Sequence, residues 1–289
     1  MDQLTLPDGR VLEVEVSGPD GGPVLLFHHG TPGGSTQLDQ MARVVHDRGH
    51  RLVTWSRAGY GASSRRAGRD VASEASDAAT LLDHLGVEAC VVAGWSGGGP
   101  HALACGAVLA HRVRAVLCIA GVAPFGAAGL DFLAGMGEEN VDEFGAAVAG
   151  EDALRAYLDE QRDAMLEITG PQIAEEMATL LPPVDKAELS GSFGDFLAEE
   201  FRQAVSHGVD GWLDDDLAFT RPWGFAPADV TVPTYLWQGS DDLMVPFAHG
   251  EWLAERIPGV TAHLEQGEGH LSIGLGAMER MFDELLAHS

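Results

Sequence analysis

The stretch Ala89-Cys90-Val91-Val92-Ala93-Gly94-Trp95-Ser96-Gly97-Gly98 decides how this chain is read. It opens as a continuous apolar run, the composition of a strand buried on both faces. It ends in glycines that lead into residues 97–111, a small-residue-rich segment that reads as a helix. Between strand and helix lies G-x-S-x-G, with Ser96 at its centre. A serine at such a turn takes a strained backbone that small neighbours make possible, and its hydroxyl projects from the carboxyl end of the sheet. The next amide, that of Gly97, stands at a helix N-terminus, where it can bind an oxyanion. The bare pattern arises by chance in a chain with 37 glycines, so its weight comes from the strand–turn–helix setting.

Working outward, the same rhythm repeats. Residues 11–16 (V-L-E-V-E-V) alternate with period two, and residues 24–29 (V-L-L-F-H-H) form a second buried run. Helical spacing is read over 35–48 and 70–85, and strands over 52–55 and 113–120. Strand and helix in alternation imply βαβ units, a parallel sheet and helices on both faces. The rhythm stops near Pro124. Residues 125–233 show helical segments at 141–149, 151–168, 171–181 and 195–206, with no strong strand. It resumes with a strand at 234–238, a helix at 249–257, a strand at 261–264 and a last helix at 272–288. The expected organisation is an α/β core of residues 1–124 and 234–289, with a helical cap of residues 125–233 inserted between two strands of one sheet.

Composition narrows the classes. The chain has 289 residues, 45% hydrophobic, enough for a large core without disulfide or metal staples. Its formal charge is −27, from 44 acids against 17 bases, which repels nucleic acid and anionic membranes. The cap segment holds 23 acids and 5 bases, the pattern of solvated helix surfaces. Asp214-Asp215-Asp216 has the composition of a metal or amine site, but reads more readily as the beginning or cap of a helix. Cys90, Cys105 and Cys118 all sit in apolar runs and read as buried free thiols. The N-terminus has no signal-peptide pattern and no run approaches membrane-spanning length, so the expectation is a cytoplasmic protein with a small-molecule substrate, monomeric or homodimeric.

Three further motifs stand at predicted strand ends. His28-His29-Gly30-Thr31-Pro32-Gly33-Gly34 follows the second buried run; Gly239-Ser240-Asp241-Asp242-Leu243-Met244-Val245-Pro246 follows the strand at 234–238; Gly267-Glu268-Gly269-His270 follows the strand at 261–264. With the serine turn, these resemble the α/β-hydrolase family over residues 11–124 and 234–289. The resemblance implies an α/β-hydrolase fold: a mostly parallel central sheet flanked by helices, with an inserted helical cap. It makes Ser96 the nucleophile, His270 the base and Asp242 the acid, in the order Ser, Asp, His, with Asp241 as the competing acid. It assigns the oxyanion hole to the amides of Thr31 and Gly97. The loop Arg57-Ala58-Gly59-Tyr60-Gly61-Ala62-Ser63 looks like the family's loop after the fourth strand and reads as a structural turn. The chemistry needs no cofactor or metal: imidazole takes the serine proton, the carboxylate holds the ring, and an acyl-enzyme is released by water.

Trp95, Phe125, Met136, Trp223 and Met244 are the candidate pocket residues, set beside the motifs or where the cap rejoins the sheet. A serine nucleophile points to esters, thioesters, lactones, amides or C–C bonds. The leading expectation is a carboxylic ester hydrolase. H-G-T-P-G-G is also similar to the loop of proline iminopeptidases, so an aminopeptidase or amidase is the alternative. A C–C hydrolase, a cofactor-free perhydrolase and a non-catalytic binding member of the fold complete the range.

Overall fold

In the computed structural model, which describes residues 2–289, the apolar runs form one eight-stranded sheet. Its strands are β1 (Asp2–Thr5), β2 (Val11–Ser17), β3 (Val24–His28), β4 (Arg51–Trp55), β5 (Cys90–Trp95), β6 (Val113–Ile119), β7 (Thr234–Gly239) and β8 (Thr261–Glu265). They lie in the order β1-β2-β4-β3-β5-β6-β7-β8. β1, β2 and β4 pair antiparallel, and every other neighbour pair is parallel. The direction of strand progression reverses between β3 and β5, and such a switch point opens a crevice beyond the carboxyl ends of its strands. The register pairs His28 with Gly94, so the loops carrying Thr31 and Ser96 leave the sheet side by side.

Pleat alternation sorts the core onto two faces. Leu26, Val53, Val92, Val116 and Leu236 pack in one apolar cluster, and Leu25, Leu52, Val91, Leu117 and Trp237 pack in the other. This is why the central strands read as unbroken apolar runs. β1 carries a single inward apolar residue, Leu4, at the sheet edge, and so small a segment leaves no periodic signal.

The helices, in chain order, are α1 (Asp39–Asp47), α2 (Glu74–His84), α3 (Gly98–Val108), α4 (Glu138–Ala149), α5 (Glu151–Glu167), α6 (Gly170–Glu176), α7 (Pro183–Glu188), α8 (Ser192–Ala204), α9 (Asp210–Phe219), α10 (Phe247–Ala254), α11 (His270–Gly276) and α12 (Met278–Leu286). α4 to α9 fill the stretch between β6 and β7. Several bounds differ from the sequence expectation. The helix expected at 35–48 starts at Asp39, because the Ser35 amide is instead tied to Ser56 Oγ at 3.1 Å. The helix expected at 70–85 begins as a single tight turn, Val71–Ser73, capped by the Asp70 carboxylate. The final helix is two, α11 and α12, and the first already starts at His270. Asp214, Asp215 and Asp216 do not begin or cap a helix: they lie buried in the middle of α9. Among the described residues no helix is long and apolar enough to cross a membrane. Cys90, Cys105 and Cys118 are free and buried, and burial pushes the Cys90 and Cys118 thiols up to about 12.

Candidate active site

Ser96 sits at the end of β5 with φ +57, a left-handed backbone that non-glycine residues seldom adopt. The turn closes so tightly that only glycine fits beside it. A Cβ on Gly94 would lie 2.1 Å from the Gly98 carbonyl, and a Cβ on Gly98 would lie 2.2 Å from the His28 carbonyl. The Ser96 amide is anchored to Ile119 O at 2.8 Å on the neighbouring strand, which holds the strained residue in place. α3 then starts at Gly98, leaving the Gly97 amide at the helix's positive end.

His270 and Asp242 meet across the ends of β7 and β8. His270 Nδ1 and Asp242 Oδ2 are 2.8 Å apart, and both side chains are almost fully buried. The other Asp242 oxygen accepts the amides of Met244 at 2.9 Å and Val245 at 2.8 Å, and Gln238 Nε2 donates to Oδ2 at 2.9 Å. With its lone pairs engaged in this way, the carboxylate cannot swing, so the ring it touches is fixed in orientation. Asp241 is exposed and is bonded to Ser240 Oγ instead. Burial draws the His270 imidazole down, but the Asp242 charge and hydrogen bond outweigh it, and its pKa is raised above 6.5.

The backbone of His270 has a second anchor that sequence reasoning did not find. Asp185, on α7, accepts the amides of His270 at 2.7 Å, Leu271 at 3.0 Å and Ser272 at 2.9 Å. These are the orphan amides of the first turn of α11, so a carboxylate from the inserted helices caps the helix that begins with His270. This explains why α11 starts two residues earlier than the sequence suggests. Asp185 lies 85 residues from His270, and nothing local marks it.

Thr31 leaves the end of β3 beside the serine turn: a Cβ on Gly97 would lie 2.2 Å from Thr31 Oγ1. The loop is clamped by Arg57, which donates to the carbonyls of His29 and Gly30 and to Thr31 Oγ1. The Arg57 loop is therefore more than a turn. Arg57 is itself paired with Asp215 of α9 at 2.6 Å, both fully buried. Asp215 also pairs with Arg69 at 2.6 Å and receives Thr31 Oγ1 and Tyr60 Oη, each at 2.8 Å. Burial pushes the Asp215 carboxyl up, yet the two guanidiniums win and hold it well below the usual carboxylate range. The neighbouring Asp214 pairs with Arg65 at 2.8 Å.

Ser96, Gly97, Thr31 and His270 face one cavity of about 230 Å³, lined on the far side by the inserted helices. Trp95 and Met244 stand on its wall, and Trp95 Nε1 also donates to His270 O at 3.2 Å. Phe125, Met136 and Trp223 do not reach the cavity. They pack with Phe132, Phe144 and Val245 in an apolar cluster of which Phe144, Phe219 and Val245 reach the wall, because an aromatic at this junction serves core packing equally well. The wall instead includes Phe193, Phe196 and Phe219 of α8 and α9, together with a set of acids: Glu139, Glu143, Glu176, Glu200 and Asp216.

The profile of the family described as the alpha/beta hydrolase fold matches residues 23–277. A non-heme chloroperoxidase of Streptomyces lividans is 26% identical over 252 residues, 86% of this chain and 84% of that protein. A bifunctional esterase/perhydrolase of Acinetobacter calcoaceticus is 35% identical over 100 residues, covering 34% of this chain and only 36% of the relative. Among solved structures, a hydrolase from Pseudomonas aeruginosa superimposes with a TM-score of 0.71 at 20% identity, over 99% of this chain and 97% of the other.

Proposed function

This chain belongs to the α/β hydrolase fold family, and from that premise we propose that it is a serine hydrolase that cleaves carboxylic esters through an acyl-enzyme on Ser96. The observation that carries the reading is the buried Asp242–His270 pair opening onto the same cavity as a serine in a strained turn. His270 accepts the Ser96 proton as the hydroxyl attacks the carbonyl, and Asp242 keeps the ring in the tautomer that accepts on Nε2. The oxyanion sits between the amides of Gly97 and Thr31, each worth about 3 kcal/mol of barrier. His270 then protonates the departing alcohol, water attacks the acyl-enzyme, and the serine is regenerated. Residues 125–233 act as the cap that shapes the acyl or alcohol site.

The apolar wall of Trp95, Met244 and the α8–α9 aromatics suits a small to medium, partly apolar ester. Two relatives supply a second reading of the same intermediate, since their names include perhydrolase and chloroperoxidase. Hydrogen peroxide in place of water would take the acyl group and leave as a peracid.

A panel of p-nitrophenyl esters of rising acyl length, run beside Ser96→Ala, tests the proposal. Ester turnover lost in the variant is the expected result, and turnover that survives it contradicts the mechanism. Faster turnover of aminoacyl p-nitroanilides than of esters would move the activity to an aminopeptidase.

A further inference from the structure

The charges around the cavity do not balance. Asp214 and Asp215 have arginine partners, and Arg69 also faces Glu74 at 3.4 Å. Asp216, between those acids and the cavity, has none. It is 1% exposed, and neither of its carboxyl oxygens meets an N–H or O–H donor among the described residues. Beside it is the Glu143 carboxyl of α4, which can bond to it only if the two share a proton. Glu143 also accepts Trp212 Nε1 at 2.7 Å, so the pair is held in place. Two further cavity-lining carboxyls each have one donorless oxygen, Glu200 Oε1 (Glu200 is 8% exposed) and Glu139 Oε2. No lysine or arginine lines this space, and its histidines are His29 and His270. Burial holds His29 well below 6.5, so it brings no charge at neutral pH.

A buried carboxyl with no donor is costly, because it has lost water and gained nothing in exchange. Water alone could repay part of that. A cation bearing N–H groups repays charge and hydrogen bonds together, since an ammonium offers three donors and one positive charge. A proton-sharing pair carries one net negative charge, the match for a single ammonium. The donors do not suit a metal: no group of three or more His, Cys, Asp or Glu side chains among the described residues is arranged to hold one. The pair is also well placed for the chemistry. Phe219, three residues after Asp216 on the same helix, puts its ring 3.1 Å from where a Gly97 Cβ would be.

We propose that the cavity selects substrates carrying a protonated amine, seated on the Glu143–Asp216 carboxyl pair while the scissile carbonyl lies at Ser96. This deepens the hydrolase reading and rests on it for the second half of the statement. The amine seat itself is a binding property and is tested without turnover.

Calorimetric titration of the full chain, and of Ser96→Ala, with hexan-1-amine hydrochloride and with hexan-1-ol near neutral pH measures the preference directly. The two probes share length and apolar surface and differ in charge. The expected result is binding of the amine about 10- to 100-fold tighter than the alcohol in both proteins, the range of a charge-assisted hydrogen bond to a buried group. In the Glu143→Gln/Asp216→Asn double variant, shown to be folded by its melting transition, the preference should shrink to about twofold or less. Glu200→Gln should retain most of it. Equal or weaker binding of the amine by the unmodified chain overturns the proposal whether or not the double variant folds. So does a folded double variant that keeps the full preference. An amine preference in a protein that turns over no ester would leave the seat standing and remove the ester-hydrolase reading instead.

Discussion

On the sheet side of the cavity the carboxylate and the strained turn that set up the proposed chemistry are tied to the sheet's own strands and loops. Asp242 has two amides, an amide side chain and an imidazole, and the Ser96 amide is fixed to the next strand. On the helical side the acids divide into two kinds. Asp185 and Asp215 reach across and bond to the sheet side, to the first turn of α11 and to the Arg57–Thr31 clamp. Asp216, Glu200 and Glu139 face the cavity and keep unmet acceptor capacity, with Glu143 beside Asp216. The difference teaches that one acidic segment has three duties: a solvated surface, a brace for the catalytic loops, and an electronegative seat. Neighbouring residues of one helix, Asp215 and Asp216, fall into different classes because a helix turns successive side chains about 100° apart.

Mutations can break this contrast, and the largest effect belongs to the sheet side. Ser96→Ala should lower kcat/KM for a good p-nitrophenyl ester by about 10⁴-fold or more. Asp242→Asn should leave the shape intact and still cost about 10³- to 10⁴-fold, because the ring loses its enforced tautomer. The pH profile sharpens that test. Activity needs neutral His270, and Asp242 raises the pKa of His270 above 6.5, so kcat/KM should climb with pH through an apparent pKa above that value. In Asp242→Asn the same limb should move to lower pH; a limb that stays put would separate Asp242 from the base.

The bracing acids should respond in stability first. Asp215→Ala leaves Arg57 and Arg69 buried without their shared carboxylate, an expected loss of about 3–5 kcal/mol in urea unfolding. A loss below about 1 kcal/mol would mean that the clamp on the Thr31 loop holds without α9. Asp185→Ala is milder, about 1–2 kcal/mol for a lost helix cap, with kcat reduced about 10- to 100-fold as His270 shifts. Asp185→Asn should recover only part of both, because one amide oxygen replaces the two carboxylate oxygens that accept the His270 amide and the Leu271 and Ser272 amides. The smallest effect distinguishes wall from core: Met244→Ala should change KM across ester lengths, whereas Phe125→Leu, off the cavity, should alter it by about twofold or less.

The sheet side was legible in the sequence because each of its functional residues follows a strand and is flanked by residues the turn requires. Gly94 and Gly98 around Ser96 are demanded by backbone atoms about 2 Å from any Cβ, so they appear as a motif. Asp242 could be told from Asp241 only through a family resemblance, and the geometry separates them by burial and by the bond to His270. The helical side was not legible. Asp215 finds Arg57 158 residues away, and Asp185 finds His270 85 residues away, so no local spacing records either. A run of three aspartates looks like a solvated cap until its arginines are in place. One signal was available: Arg57, Arg65 and Arg69 are clustered in a chain with only 17 bases, and such a cluster needs acids somewhere. Among the expected pocket aromatics Trp95 reaches the wall, whereas Phe125 and Trp223 do not, for a different reason. Packing beneath a cavity and lining it call for the same side chains, so composition cannot sort Trp223 from Phe219.

The most direct test of the central claim is covalent. The protein is incubated with a fluorophosphonate, a reagent that phosphonylates activated serines, and the modified residue is located by peptide mass mapping. One adduct is expected, on Ser96, formed slowly in Asp242→Asn and absent in Ser96→Ala. An adduct on another serine, or undiminished labelling of Ser96→Ala, would contradict it.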